Sequence, residues 1–403
     1  MNIMRVLIVS PYASNPGHYW ADATALGRAL HSCSVAVDIL APGIDTRSSF
    51  PDGMQVINLP MYTRLRRALL ASFRNSKYLA TLDMLACLFT LWRRRKLQYN
   101  VVHFIDGKQL LFLLMALLNQ RASIYSLYGE PGPTWELTGR PLAARLRTTL
   151  RSWVANRVLR RGCTAFICET SALKARWAPL LGDHIYEIPY AILPPTGSTS
   201  RLEARRRLNL PEDTIFLLLF GTHRVGKDYV TVLRSLSSIE RDVRALFVGA
   251  VISDNNPRVL ARKLQTERAM FIDGYVSEEV MALCFSACDF VMLPYAPGYD
   301  TCSGVILEAC RFSRPVIAAG TGFLRVFVEK YGIGYLYEPG DIENLTAVIR
   351  RAISSEAYPA LEKALSYAAA QFSWNNVVHQ YLDIYRQYSR ETRTHSGGGG
   401  SFR

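Results

Sequence analysis

Short runs rich in β-branched and aromatic residues recur along this chain, each followed by a longer stretch of helical period. That order leaves parallel sheets flanked by helices as the expected architecture. In the first half the runs are RVLIVS, VAVDIL, MQVINL, VVHFI, ASIYSLY, TAFICE and IYEIP. In the second half they are TIFLLLFG, RALFVGAV, MFIDGYV, FVMLPY, RPVIAAG and GYLYEP. With 403 residues the chain exceeds what one core usually serves, so two domains are expected. The joint falls at ILPPTGSTS, rich in Pro, Gly and Ser. The expected fold is α/β, two Rossmann-like domains facing a cleft, over residues 1–191 and 201–371 with a linker at 192–200. The segment 372–390 reads as an amphipathic helix with no strand after it, crossing back to the first domain. Residues 391–403, with SGGGGS, read as a disordered tail or linker.

Charge and cysteine usage narrow the classes. The net charge is +14, and residues 61–96 hold nine Arg or Lys against one acid, Asp83. Leucines and aromatics (Leu69, Leu70, Phe73, Phe89, Trp92) lie among them, a mixture that suits an anionic membrane surface. A second cluster, Arg140–Arg161, holds seven Arg. No recognition-helix, zinc-finger or single-strand-binding motif is present, so nucleic acid is not the expected partner. Eight scattered cysteines read as buried thiols rather than a metal set, and favour a reducing cytoplasm. MNIMRVLIVS opens directly as a strand, without a cleavable apolar segment. The run Leu110–Leu118 is too short to span a bilayer and reads as a buried helix.

The chemistry is expected beyond the carboxyl ends of the second-half strands, where ligands of such sheets sit. The first strand runs into LLLFGTHRVGK. Gly221 permits a tight turn, and Arg224 and Lys227 can flank an anion. Three strands later comes PYAPGYDTCSGVILEAC, longer than an ordinary strand-to-helix turn. Ser303, Gly304 and Val305 fall at the start of its helix, where free amides attract phosphate. Glu308 lies one turn in. Amides plus a nearby carboxylate suit a sugar nucleotide, with diphosphate on the amides and ribose on the acid. Each has a plainer reading: N-capping for Ser303, dipole complementation for Glu308, solvated charge for Arg224 and Lys227, an Asx-turn for Asp300.

The second half resembles the donor domain of retaining glycosyltransferases of the GT-B fold, especially glycosyltransferase family 4. The match runs from Asp300 through TCSGVIL to Glu308, followed by RPVIAAG, with FGTHRVGK as the family's cationic turn. The resemblance implies that Arg224 and Lys227 bind the donor diphosphate and that Gly274, Tyr275 and Val276 offer backbone to the base. It also implies a sugar-approaching role for His103. Gly17 and His18 then stand in the acceptor loop, with Asp106, Tyr128 and Glu130 at further first-half strand ends. Asp300 departs from the family's usual Glu, which withdraws the carboxylate by about 1.5 Å. No tightly bound cofactor and no metal is implied; a nucleotide-diphosphate sugar is the co-substrate. The acceptor is a glycan, a lipid-linked or a small molecule, and the setting is the cytoplasm or the inner face of its membrane. Two other readings fit the fold: a sugar-nucleotide epimerase and a non-catalytic sugar-nucleotide-binding subunit.

Overall fold

A computed structural model describes residues 3–13, 19–44, 54–57, 59–72, 76–93, 99–105, 122–127, 153, 157, 160, 163–193, 199–299 and 302–395. The chain divides into two compact units: Met1–Pro189 with Trp374–Arg403, and Tyr190–Ser373.

The first unit carries strands β1 (Arg5–Val9), β2 (Ala36–Leu40), β3 (Met54–Ile57), β4 (Val101–Ile105), β5 (Ala122–Leu127), β6 (Ala165–Cys168) and β7 (Ile185–Glu187). They form one parallel sheet in the order β3-β2-β1-β4-β5-β6-β7. Its described helices are α1 (Tyr19–Ser32), α2 (Pro60–Ser72), α3 (Ser76–Arg93) and α4 (Ser171–Leu181), with a last helix, Trp374–His395, packed on α1, β4 and β5. That last helix runs five residues past its expected end at 390. The run Leu110–Leu118 and most of the second arginine cluster lie outside the described residues.

The second unit holds β8 (Ile215–Phe220), β9 (Val243–Gly249), β10 (Ala269–Asp273), β11 (Phe290–Leu293), β12 (Val316–Ala319) and β13 (Gly334–Tyr337). Their order is β10-β9-β8-β11-β12-β13, again all parallel. The helices between them are α5 (Arg201–Arg207), α6 (Tyr229–Ser237), α7 (Pro257–Lys263), α8 (Glu278–Ala287), α9 (Gly304–Arg311), α10 (Gly322–Tyr331), α11 (Ile342–Ser354) and α12 (Tyr358–Gln371), so Trp374–His395 is α13. β8 shows why these strands are uninterrupted apolar runs. Phe216 and Leu218 enter one core, Leu217 and Leu219 the core on the opposite face, and both faces are covered by helices.

Two expectations shift at the edges. Ile192, the first residue of the expected linker, is buried in the second unit's core and its amide donates to Phe372 O at 2.7 Å. An apolar side chain beside two prolines is seated by packing, which composition does not register. Arg66, counted with the basic surface, is instead 7% exposed, and its guanidinium donates to both oxygens of Asp83 at 2.8 and 3.2 Å. Tyr62 donates to the same carboxylate at 2.7 Å, which joins α2 to α3 through a buried polar knot.

Candidate functional site

In the second unit, β8 and β11 are neighbours at the centre of the sheet, and the chain leaves them towards opposite edges. This is the point at which an open parallel sheet leaves a crevice beyond its strand ends. The two connections that end there are residues 221–228 after β8 and 294–303 after β11.

The first connection turns at once. Gly221 has φ 91°, and Gly226 has φ 95°, conformations that favour glycine. The loop is pinned from below. Asn255 Nδ2 donates to Arg224 O and Lys227 O at 3.0 and 2.7 Å, and His223 N donates to Ala250 O at 2.8 Å. His223 is buried with Nδ1 2.7 Å from Tyr229 OH; burial, then Lys227, lowers its pKa to about 4. It is a neutral support under the loop. Lys227 folds back so that Nζ donates to Phe220 O at 3.0 Å. Burial, and next the neighbouring Arg224, lower its pKa to about 7.

The second connection is stitched to the first by backbone: Asp228 N to Pro294 O at 2.6 Å and Ala296 N to Gly226 O at 2.9 Å. Tyr295 and Tyr299 stack with centroids 3.9 Å apart, and Arg224 lies over Tyr299, Cζ 5.7 Å from the ring centre and Nη2 3.3 Å from its hydroxyl. Tyr295 OH is 3.0 Å from Ser303 Oγ. Ser303 occupies the N-cap of α9 yet makes no side-chain cap, because its hydroxyl is turned to Tyr295. In α5, α6, α7, α8 and α11 the cap side chain does bond the helix amides. The start of α9 therefore presents its first amides without a side-chain cap, the arrangement that draws anions. A Cβ added at Gly304 would meet nothing within 4 Å. One added at Gly221 would stand 3.8 Å from both Lys227 Nζ and Val305 Cγ2, so turn, lysine and helix start surround one point.

Glu308 follows one turn into α9, its side chain 27% exposed, with Oε2 accepting from Arg311 Nη1 at 3.1 Å. Arg311 also donates to Glu278 Oε1 at 2.5 Å, at the start of α8. The segment before α8 carries Gly274, at φ 90° with nothing within 4 Å of an added Cβ, then Tyr275, 60% exposed, and the partly buried Val276.

Of the expected site residues, the structure gathers Gly221, Arg224, Lys227, Ser303, Gly304, Val305 and Glu308 at this switch point, and Gly274–Val276 follow the next-but-one strand, β10. Asp300, Gly17, His18, Asp106, Tyr128 and Glu130 lie outside the described residues. His103 is a correction. It is 0% exposed, with Nδ1 2.6 Å from Tyr385 OH and Nε2 2.8 Å from Ser126 Oγ, and burial lowers its pKa to about 3. Both ring nitrogens are taken within the first unit, where the residue anchors α13 on β4 and β5. Tyr295, Tyr299, Asn255 and Arg311 were missed. The pair PYAPGY carried a signal, two tyrosines four apart in a loop; Arg311 reads as an ordinary helix-end cation. Among the described residues no group of three or more His, Cys, Asp or Glu side chains could hold a metal ion.

The chain is thus two α/β units, the second of which brings a cationic turn and an uncapped helix start together at one switch point. Residues 200–372 match the family of glycosyl transferases group 1. Among curated relatives, a D-inositol 3-phosphate glycosyltransferase from Nocardioides sp. is 27% identical over 216 residues, 48% of this chain and 46% of that protein. The chain thus spans about half or less of the length of the curated relatives it matches. Among solved structures, a sucrose-phosphate synthase from Thermosynechococcus elongatus superposes with a TM-score of 0.69 at 18% identity, covering 95% of this chain and 98% of that one. Anabaena HepE in complex with UDP and glucose gives 0.68 at 16% identity, with 95% and 100% covered. The fold is that of the GT-B glycosyltransferases, two parallel-sheet Rossmann-like domains.

Proposed function

We propose that the chain transfers a sugar from a nucleoside-diphosphate sugar, UDP- or GDP-linked, to an acceptor hydroxyl, with retention of configuration and without a metal. The observation that carries this reading is the convergence of Lys227, Arg224 and the uncapped start of α9 around Gly221, with Glu308 one turn deeper. As the bond between the sugar carbon and the diphosphate oxygen breaks, the electron pair leaves on the diphosphate. The two cations and the α9 amides stabilise that charge, which is where a preorganised site contributes most. Glu308 takes ribose hydroxyls, and Gly274–Val276 lie beside the base. Asp300, between Tyr299 and the start of α9, is assigned to the transferred sugar. Gly17 and His18 are assigned to the acceptor. The sequence identifies no covalent nucleophile, and attack from the leaving-group face needs none. HepE's complex with UDP and glucose supports a uridine donor. The inositol-phosphate relative supports a small polyol or its phosphate as acceptor, beside glycan and lipid-linked candidates.

The test is nucleotide release from UDP- and GDP-sugars with and without candidate acceptors, followed by the anomeric signal of the product in an NMR spectrum. Acceptor-dependent release with the donor's anomeric configuration kept is expected. Inversion contradicts retention, and conversion of the donor sugar without transfer favours an epimerase.

Peripheral contact with an anionic membrane belongs to the same reading. Met61 and Leu65 on α2, and Leu85, Phe89 and Trp92 on α3, are exposed beside exposed Arg64, Arg67 and Arg93. Among the described residues no helix is long and apolar enough to cross a membrane. Flotation with phosphatidylglycerol vesicles at low salt is expected for the wild type and lost in Phe89→Asp/Trp92→Asp. Absence of wild-type binding removes the membrane claim.

A further inference from the structure

The carboxylate assigned to the ribose is itself held in place. Arg311 is in the last turn of α9 with its side chain 1% exposed, and one guanidinium bridges two acids: Glu308 through Nη1 at 3.1 Å and Glu278 through Nη2 at 2.5 Å. Its Cζ lies 5.0 Å from the ring centre of Phe312, which stacks on Phe285 of α8 at 5.1 Å. A cation that only complemented the helix dipole would sit in water at the helix end. This one is enclosed between α8 and α9 and uses its planar fork on two separate carboxylates.

We propose that Arg311 is a positioning residue for nucleotide binding: it fixes the carboxylate of Glu308 for the ribose and ties it to the start of α8, directly after the Gly274–Val276 segment assigned to the base. This rests on the ribose role of Glu308 given above. The physical need is clear. A free Glu side chain has rotamers to lose when it binds, and an anchored carboxylate has fewer. Two acids near a diphosphate would also repel it, and a buried guanidinium between them offsets that charge. The short segment Gly274–Ser277 and the ribose acid are then parts of one rigid unit, so base and ribose recognition are coupled through Arg311.

Isothermal titration of the full chain with UDP, GDP and ADP, and with their 2′,3′-dideoxy counterparts, separates positioning from mere packing. For the nucleotide that binds, Arg311→Met is expected to weaken the ribose form by about tenfold or more, the size of a lost charged hydrogen bond. The dideoxy form, which offers Glu308 no hydroxyl, is expected to keep its affinity. In a Glu308→Gln background Arg311→Met should add no further loss. Equal weakening of both forms, or a full additional loss in the double variant, overturns the proposal. If Arg311→Met does not fold, Arg311→Lys and Glu278→Gln carry the same comparison, with a smaller but still ribose-selective loss expected. Failure of the wild type to bind any of the nucleotides overturns the proposed function and this inference together. Selective loss in Glu308→Gln but not in the Arg311 variants overturns this inference alone.

Discussion

Two buried arginines do different work in the two units. Arg66 donates to both oxygens of Asp83, which is 0% exposed and also takes the Tyr62 hydroxyl, so the carboxylate is enclosed by protein. Arg311 is as deeply enclosed, but the carboxylates it holds are 27% and 48% exposed, and the first of them, Glu308, lies on the helix that starts at the switch point. The first cluster ends in protein and serves the packing of α2 on α3. The second ends at a surface, where an ordered carboxylate can meet a ligand. Burial of the cation alone does not tell them apart; the exposure of its partners does.

Breaking the buried Asp83 cluster should give the largest effect on stability and none on ligand. Asp83→Ala leaves Arg66 charged and enclosed, and about 3–5 kcal/mol of stability should be lost in urea titration. Nucleotide affinity is expected to stay at the wild-type value.

Lys227→Ala should do the reverse. The fold is expected to hold, while transfer falls by about 10²–10³, the loss typical of one preorganised charge-stabilising donor. Steady-state rates beside a melting curve check both halves of the claim.

The lysine also gives the site a pH signature of its own. Its pKa of about 7 lies below the ordinary 10.5, so between those values the folded, ligand-free chain holds fewer protons than the unfolded one. Lys227 therefore weakens the empty fold below pH 7, and that penalty fades as pH rises towards 10.5. A bound diphosphate restores the charge. Calorimetry at pH 8 in buffers of different ionisation enthalpy should show uptake of roughly one proton on nucleotide binding, absent in Lys227→Met.

The smallest effect is expected at Ser303. Its hydroxyl serves Tyr295 rather than the helix, so Ser303→Ala should cost about 1 kcal/mol or less, by chemical denaturation, and leave nucleotide affinity nearly intact.

The sequence exposed the sheets more fully than the contacts. All thirteen described strands fall on the apolar runs; inner strands such as β4, β5, β11 and β12 are buried on both faces and have no polar alternation to blur them. The gathering of Gly221, Lys227 and the helix of Glu308 at one switch point was legible because turn, cation and helix start keep their order along the chain. Arg66 and Arg311 were not. Both read as helix-face cations, and their partners Asp83 and Glu278 lie 17 and 33 residues away, on other helices. His103 was misread for the same reason: its position at a strand end is local information, while Tyr385 is 282 residues distant.

The central claim is that the β8/β11 switch point binds a nucleoside diphosphate through Lys227 and the start of α9. Thermal melting of the full chain with saturating UDP, GDP, ADP or dTDP tests it most directly, since a ligand that binds only the folded state raises the midpoint by mass action. At least one of the four should raise the wild-type midpoint, and the same nucleotide should leave Lys227→Ala unmoved. No shift with any of them, or an equal shift in wild type and variant, would contradict the account.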